Sequence, residues 1–102
     1  MKFGLFPNTT KANIIEIVEK VIKIINNNNS EVIISNSFND IKKSFSEFIN
    51  LQNFADDKYL LELCDFVISI GGDGTMLNTA YRTINCKVPL IGVNFGKLGF
   101  LA

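Results

Sequence analysis

Phe66-Val67-Ile68-Ser69-Ile70-Gly71-Gly72-Asp73-Gly74-Thr75 is the stretch whose reading decides the fold. A run of β-branched and apolar residues reads as a buried strand, and it stops abruptly at glycines. Met76, Leu77, Ala80 and Ile84 then recur at helical spacing, which predicts a helix directly after the turn. Strand, glycine turn and helix together aim backbone N–H groups at a phosphate. A carboxylate inside that turn would repel a phosphate unless it handles a metal or a proton. The combination points to phosphoryl transfer.

Working outward, the same alternation repeats. Residues 2–6 read as a first strand ended by Pro7-Asn8, and Thr9 or Thr10 can cap a helix beginning near Lys11. Ile14, Ile15, Val18, Val21, Ile22 and Ile25 form its apolar stripe, opposite Glu16, Glu19, Lys20 and Lys23. The tract Asn26-Asn27-Asn28-Asn29 reads as a loop and residues 31–35 as a second strand. Phe38, Ile41, Phe45, Phe48 and Ile49 suggest a helix over 40–51, and residues 58–63 a short helix before the strand at 66–70. Residues 89–93 read as a further strand. Strands alternating with helices predict an α/β domain: a mostly parallel sheet flanked by helices, with ligands beyond the carboxyl ends of the strands. Both glycine-bearing segments, 71–75 and 94–100, fall at such ends and are expected to converge on one cleft.

Composition narrows the function classes. The chain has 102 residues, 47% hydrophobic and 20% charged, with a formal net charge of zero, the profile of one folded domain. Nothing in that balance suggests a nucleic-acid surface, and the densest positive spot, Lys42-Lys43, reads as a solvated helix face. No run approaches membrane-spanning length, and the first residues lack a signal-peptide core, so a cytoplasmic protein is expected. With two cysteines and no histidine, the chain has no zinc set and no Cys–His nucleophile, and Cys64 and Cys86 read as buried free thiols.

Three phosphate motifs fail by spelling. The dinucleotide fingerprint needs a third glycine where Thr75-Met76-Leu77 stands. A Walker loop needs Ser or Thr after Gly-Lys, whereas Gly96-Lys97 precedes Leu98. A kinase glycine-rich loop joins two strands, and a helix follows here. A plain structural turn, with Asp73 as a helix cap, stays open on physical grounds.

Gly71-Gly72-Asp73-Gly74-Thr75 followed by Gly92-Val93-Asn94-Phe95-Gly96-Lys97-Leu98-Gly99-Phe100-Leu101 resembles the NAD kinases. The first element alone is shared with diacylglycerol and sphingosine kinases and with phosphofructokinases; the second segment separates them. The resemblance implies a Rossmann-like N-terminal domain spanning residues 1–102, the first part of a longer two-domain kinase. Its β-rich C-terminal domain, with the Asn-Glu or Asn-Asp pair that grips the substrate ribose, is missing here. It further implies that Asp73 is the general base for the 2′-hydroxyl of the adenosine ribose of NAD, with ATP or polyphosphate as donor, and magnesium. No residue is assigned as a metal ligand. Gly71, Gly72 and Thr75 would face nucleotide phosphates, Gly74 the ribose, and Leu98, Gly99 and Phe100 the dinucleotide. Asn78 stands where many relatives carry a basic residue that reaches phosphate, and Arg82, one turn on, is a candidate substitute. A homo-oligomer is expected of the complete enzyme, and an inactive, self-associating chain of these 102 residues. Two other readings remain: a lipid or sphingoid-base kinase on the same turn, and a non-catalytic module binding nucleotide or protein.

Overall fold

The computed structural model describes residues 1–8, 13–36 and 52–94. Five strands form one parallel sheet: β1 (Lys2–Pro7), β2 (Glu31–Ser35), β3 (Asn53–Ala55), β4 (Phe66–Gly71) and β5 (Leu90–Asn94). Their spatial order is β3-β2-β1-β4-β5, with every neighbouring pair parallel. Three helices accompany them among the described residues: α1 (Ile14–Asn27), α2 (Asp57–Leu63) and α3 (Asp73–Arg82). The expected α/β class and parallel sheet are therefore present, and the expected helix over 40–51 lies outside the described residues.

Alternation along the strands builds two apolar layers. Leu5, Val32, Ile34, Ile68 and Ile70 point to one face and pack with Ile14, Val18, Ile22 and Ile25 of α1. Phe6, Ile33 and Val67 point to the other and pack with Leu60 and Cys64, at the end of α2. Successive residues serving opposite faces is the period-two geometry of a strand covered on both sides. The central pairing is β1 with β4, where Phe3 sits opposite Phe66 and their rings stack at 5.5 Å.

The helix boundaries have local causes. Asn13 holds the N-cap position of α1 without a side-chain cap hydrogen bond, and Thr9 and Thr10, the expected caps, lie outside the described residues. At the other end the asparagine tract stops the helix actively. Asn28 Nδ2 donates to Ile24 O at 2.7 Å, and Asn29 takes the left-handed conformation with φ of 60°. In α2, Asp56 caps the helix, its Oδ1 accepting from the Tyr59 amide at 2.9 Å. β3 was absent from the sequence reading because Asn53-Phe54-Ala55 carries no alternation and little β propensity.

The helix expected from Met76, Leu77, Ala80 and Ile84 is present as α3, but its packing is not that of an ordinary apolar face: Met76 and Ala80 are half-buried, Leu77 is 70% exposed, Tyr81 80%, and Ile84, past the end of the helix, 71%. Thr79 and Thr83 are the buried residues instead. The reason lies in the strand beneath. Ser69 and Gly71 share the face of Val67 on β4, so the sheet offers small side chains there, and a helix with small residues approaches it closely. Each threonine hydroxyl is satisfied within the chain, Thr79 Oγ1 donating to Thr75 O at 2.8 Å and Thr83 Oγ1 to Thr79 O at 3.0 Å.

Both cysteines are free; Cys64 is buried as expected, whereas Cys86 is only half-buried. Burial pushes the Cys64 thiol above its ordinary value of 9.0. A thiol whose pKa is raised by folding stabilises the fold below the unfolded value and loses that contribution as pH rises through the folded one. Disulfide exchange with an aromatic disulfide reagent should therefore label Cys86 first, with Cys64 reacting only on unfolding or in strong alkali.

Gly4 marks where α2 touches the sheet. A Cβ there would collide with Leu60 Cδ2 and stand 3.0 Å from Leu60 Cγ and 3.3 Å from Cys64 Sγ. Leu60 is fully buried and has no room to yield. Gly4→Ala should destabilise the domain by about 1–3 kcal/mol, read as a fall in melting temperature of several degrees.

Candidate functional site

Strand order reverses between β1 and β4. The chain leaves β1 toward β2 on one side and leaves β4 toward β5 on the other. The connections therefore part beyond the carboxyl ends of β1 and β4 and open a crevice, the usual ligand position of such sheets. Pro7 and Asn8 end one wall, and Gly71 and Gly72 the other. The Asn8 amide donates to Ile70 O at 2.8 Å, which carries the β1–β4 ladder to the lip of the crevice.

Gly71 is the tight point. It is the last, buried residue of β4. A Cβ there would strike Thr75 Oγ1, lie 2.8 Å from Thr75 Cβ and lie 2.9 Å from Asn8 Cβ. Packing within the chain is thus sufficient to require glycine at this position. Gly72 and Gly74 differ, since a Cβ on either meets nothing within 4 Å. Gly72 has φ of −104° and ψ of −166°, an extended conformation open to any residue. Neither sterics nor backbone conformation accounts for glycine at 72, and no steric contact accounts for it at 74.

Asp73 is the first residue of α3, with Gly72 as N-cap and no side-chain cap hydrogen bond. The amides of Asp73, Gly74 and Thr75 have no carbonyl partner within the helix, because the first intrahelical bond runs from the Met76 amide to Gly72 O at 3.1 Å. Donors and the positive end of the helix dipole thus lie at the crevice. Thr75 is half-buried there, and Asn78 is exposed in the second turn.

The second glycine segment begins beside the first. β5 pairs with β4, and Asn94 lies opposite Gly71, its Oδ1 shut off from solvent. Leu98, Gly99 and Phe100 lie outside the described residues.

Arg82 does not reach this turn. Nine residues of helix rise separate it from Asp73, about 14 Å, and its Nη1 instead meets Asp57 Oδ2 at 3.3 Å. The sequence reading also passed over Asn8, whose placement against Gly71 needed the β1–β4 pairing to be known. Among the described residues no cluster of three His, Cys, Asp or Glu side chains could hold a metal ion. A separate hollow of about 310 Å³, lined by Lys2, Glu31, Asn53 and Tyr59 among others, gathers no such group of helix-end amides.

A doubly wound parallel sheet with a glycine-flanked acidic residue at the start of its switch-point helix defines the class as a doubly wound α/β domain, whose ligands sit at that point. Comparison with known proteins narrows the class. The family model for the ATP-NAD kinase N-terminal domain matches residues 3–102. An NAD kinase of Bacteroides fragilis is 38% identical over 104 residues, covering all of this chain and 35% of its own length. One from Flavobacterium psychrophilum is 33% identical over 103 residues, with the same coverage. Over 44 residues, 43% of this chain, an NAD kinase of Hahella chejuensis reaches 54% identity. The chain belongs to the NAD kinase family, as its N-terminal domain, and spans about a third of the length of the curated relatives it matches.

The two kinds of glycine separate experimentally. Gly71→Ala should lower the melting temperature by several degrees through overpacking against Thr75 and Asn8. Gly72→Ala should leave it within a degree or two, since its Cβ enters open space.

Proposed function

We propose that this domain supplies the acidic half of the active site of an enzyme that phosphorylates the 2′-hydroxyl of the adenosine ribose of NAD, giving NADP. The observation that carries this reading is the pair of glycines, 72 and 74, that flank Asp73 at the crevice while filling no space in the chain itself. Open space beside an acidic residue and three helix-end amides suits a ligand backed against the main chain. Family membership supplies the substrate class.

In this reading Asp73 accepts the ribose hydroxyl proton as the oxygen attacks the terminal phosphorus of ATP or polyphosphate, and the remaining phosphate chain leaves. Gly74 lets the ribose approach the helix. The amides of Asp73, Gly74 and Thr75, with the Thr75 hydroxyl, stabilise charge on the transferring group. Gly71 contributes by letting Thr75 and Asn8 close on one another. Asn78 borders the phosphate path without a charge, and Leu98, Gly99 and Phe100 bear on the dinucleotide. Magnesium arrives with the phosphates. The complete enzyme works in the cytoplasm as a homo-oligomer, away from nucleic acid and membrane; no helix among the described residues is long and apolar enough to cross a bilayer.

Three measurements test this. In the full-length enzyme Asp73→Asn should lower kcat by about 10²–10⁴-fold, with the fold intact by circular dichroism; unchanged turnover would remove the general-base role. The 102-residue chain by itself should show no measurable NAD phosphorylation. Titrating NAD and then magnesium-ATP into it should shift the amide resonances of residues 71–75. Shifts confined to other parts of the domain would move the site elsewhere.

A further inference from the structure

Helix α3 presents the reacting turn yet is weakly anchored along its length. Among its described side chains only Thr79 and, at the C-cap, Thr83 are buried, with hydroxyls that bond back into the helix; Met76 and Ala80 are half-buried, and Leu77 and Tyr81 face solvent. A helix that buries so little apolar surface needs other means to hold its direction. At the amino end the means is the close packing of Gly71 against Thr75. At the carboxyl end it is polar. Arg82 Nη1 lies 3.3 Å from Asp57 Oδ2, and Asp57 Oδ1 accepts a 2.6 Å hydrogen bond from Ser35 Oγ. Ser35 is fully buried at the end of β2. Each charge also sits where its own helix favours it, Asp57 in the first turn of α2 and Arg82 in the last turn of α3.

We infer that Asp57 is a positioning residue for phosphoryl transfer: oriented by Ser35, it clasps Arg82 and so sets the angle at which the first turn of α3 meets the substrates. This rests on the phosphoryl-transfer reading of that turn. The lever is mechanical. α3 has ten residues and is about 15 Å long. A swing of about 3–5 Å at the Arg82 end tilts the amides of the first turn by about 10–20°, the tolerance within which a catalytic constellation works. Both partners are part-exposed, at 41% and 37%, so the pair adds little to global stability. Loss of the clasp is therefore a loss of aim and not of fold.

The test is a set of variants in the full-length enzyme. Asp57→Asn and Arg82→Gln should each lower kcat about 3- to 5-fold, with KM for NAD within about twofold and the melting temperature nearly unchanged. The double variant should be no slower than either single one, and Arg82→Lys should recover most of the rate. A kcat within twofold of the unaltered enzyme in both single variants, or multiplied losses in the double variant, overturns the clasp. Should a variant melt much lower, kcat is compared at equal distance below each melting point, and full recovery there also overturns it. If the unaltered enzyme fails to phosphorylate NAD, the functional reading falls and the clasp is judged without it. Arg82→Gln in the 102-residue chain should then still shift the amide resonances of Gly74 and Thr75, eight and seven residues away, and their constancy would overturn it.

Discussion

Three segments of the chain meet at Gly71, where the side chains of Asn8 and Thr75 leave no space for another. The end of β1 at Asn8, the end of β4 and the first turn of α3 at Thr75 are all drawn against one Cα. That approach fixes how the two central strands end together, where the crevice opens and where α3 begins. A methyl group would separate Asn8 from Thr75 and with them the two walls of the site. The other glycines of the turn are free of this constraint, so steric demand and ligand access are assigned to different residues of one five-residue stretch.

The sheet beneath explains the unusual helix above it. β4 turns Ile68 and Ile70 to the face covered by α1. On the other face it offers Val67, Ser69 and Gly71, which shrink toward the crevice. A threonine-faced helix matches that taper, with hydroxyls satisfied internally so that none is buried without a partner. The result is a helix held close at one end, tied by charge at the other, and apolar on its outside.

Much of this was legible in the residues. β1, β2, β4 and β5 announce themselves as apolar runs, because strands covered on both faces need little polar alternation. α1 was legible because its stripe recurs at 4, 4 and 3 residues, and Ile14, Val18, Ile22 and Ile25 are the buried side chains. The placement of Asp73 at a helix start beyond a central strand followed from the glycine turn. What failed depended on partners far along the chain. The periodicity of Met76, Leu77, Ala80 and Ile84 gave the helix, but not which of its residues are buried, since that is chosen by Ser69 and Gly71 across the interface. β3 is three residues long and is defined by pairing with β2, not by its own composition. Asn8 and the Asp57–Arg82 pair are tertiary facts, joining positions 63 and 25 residues apart.

The central pairing carries a consequence for how the molecule is made. Phe3 lies opposite Phe66, so β1 and its partner are 63 positions apart, with β2 and everything around it synthesised in between. At about 5–20 residues per second that interval lasts roughly 3 to 13 s on a ribosome. During it β1 can pair only on its β2 side, and the opposite edge stays open, lined by Leu5 and Phe6. Such late, non-local closure makes folding slow and leaves a strand edge available to other chains. The order of synthesis thus leaves one edge of β1 without its partner until after the glycine turn has been made.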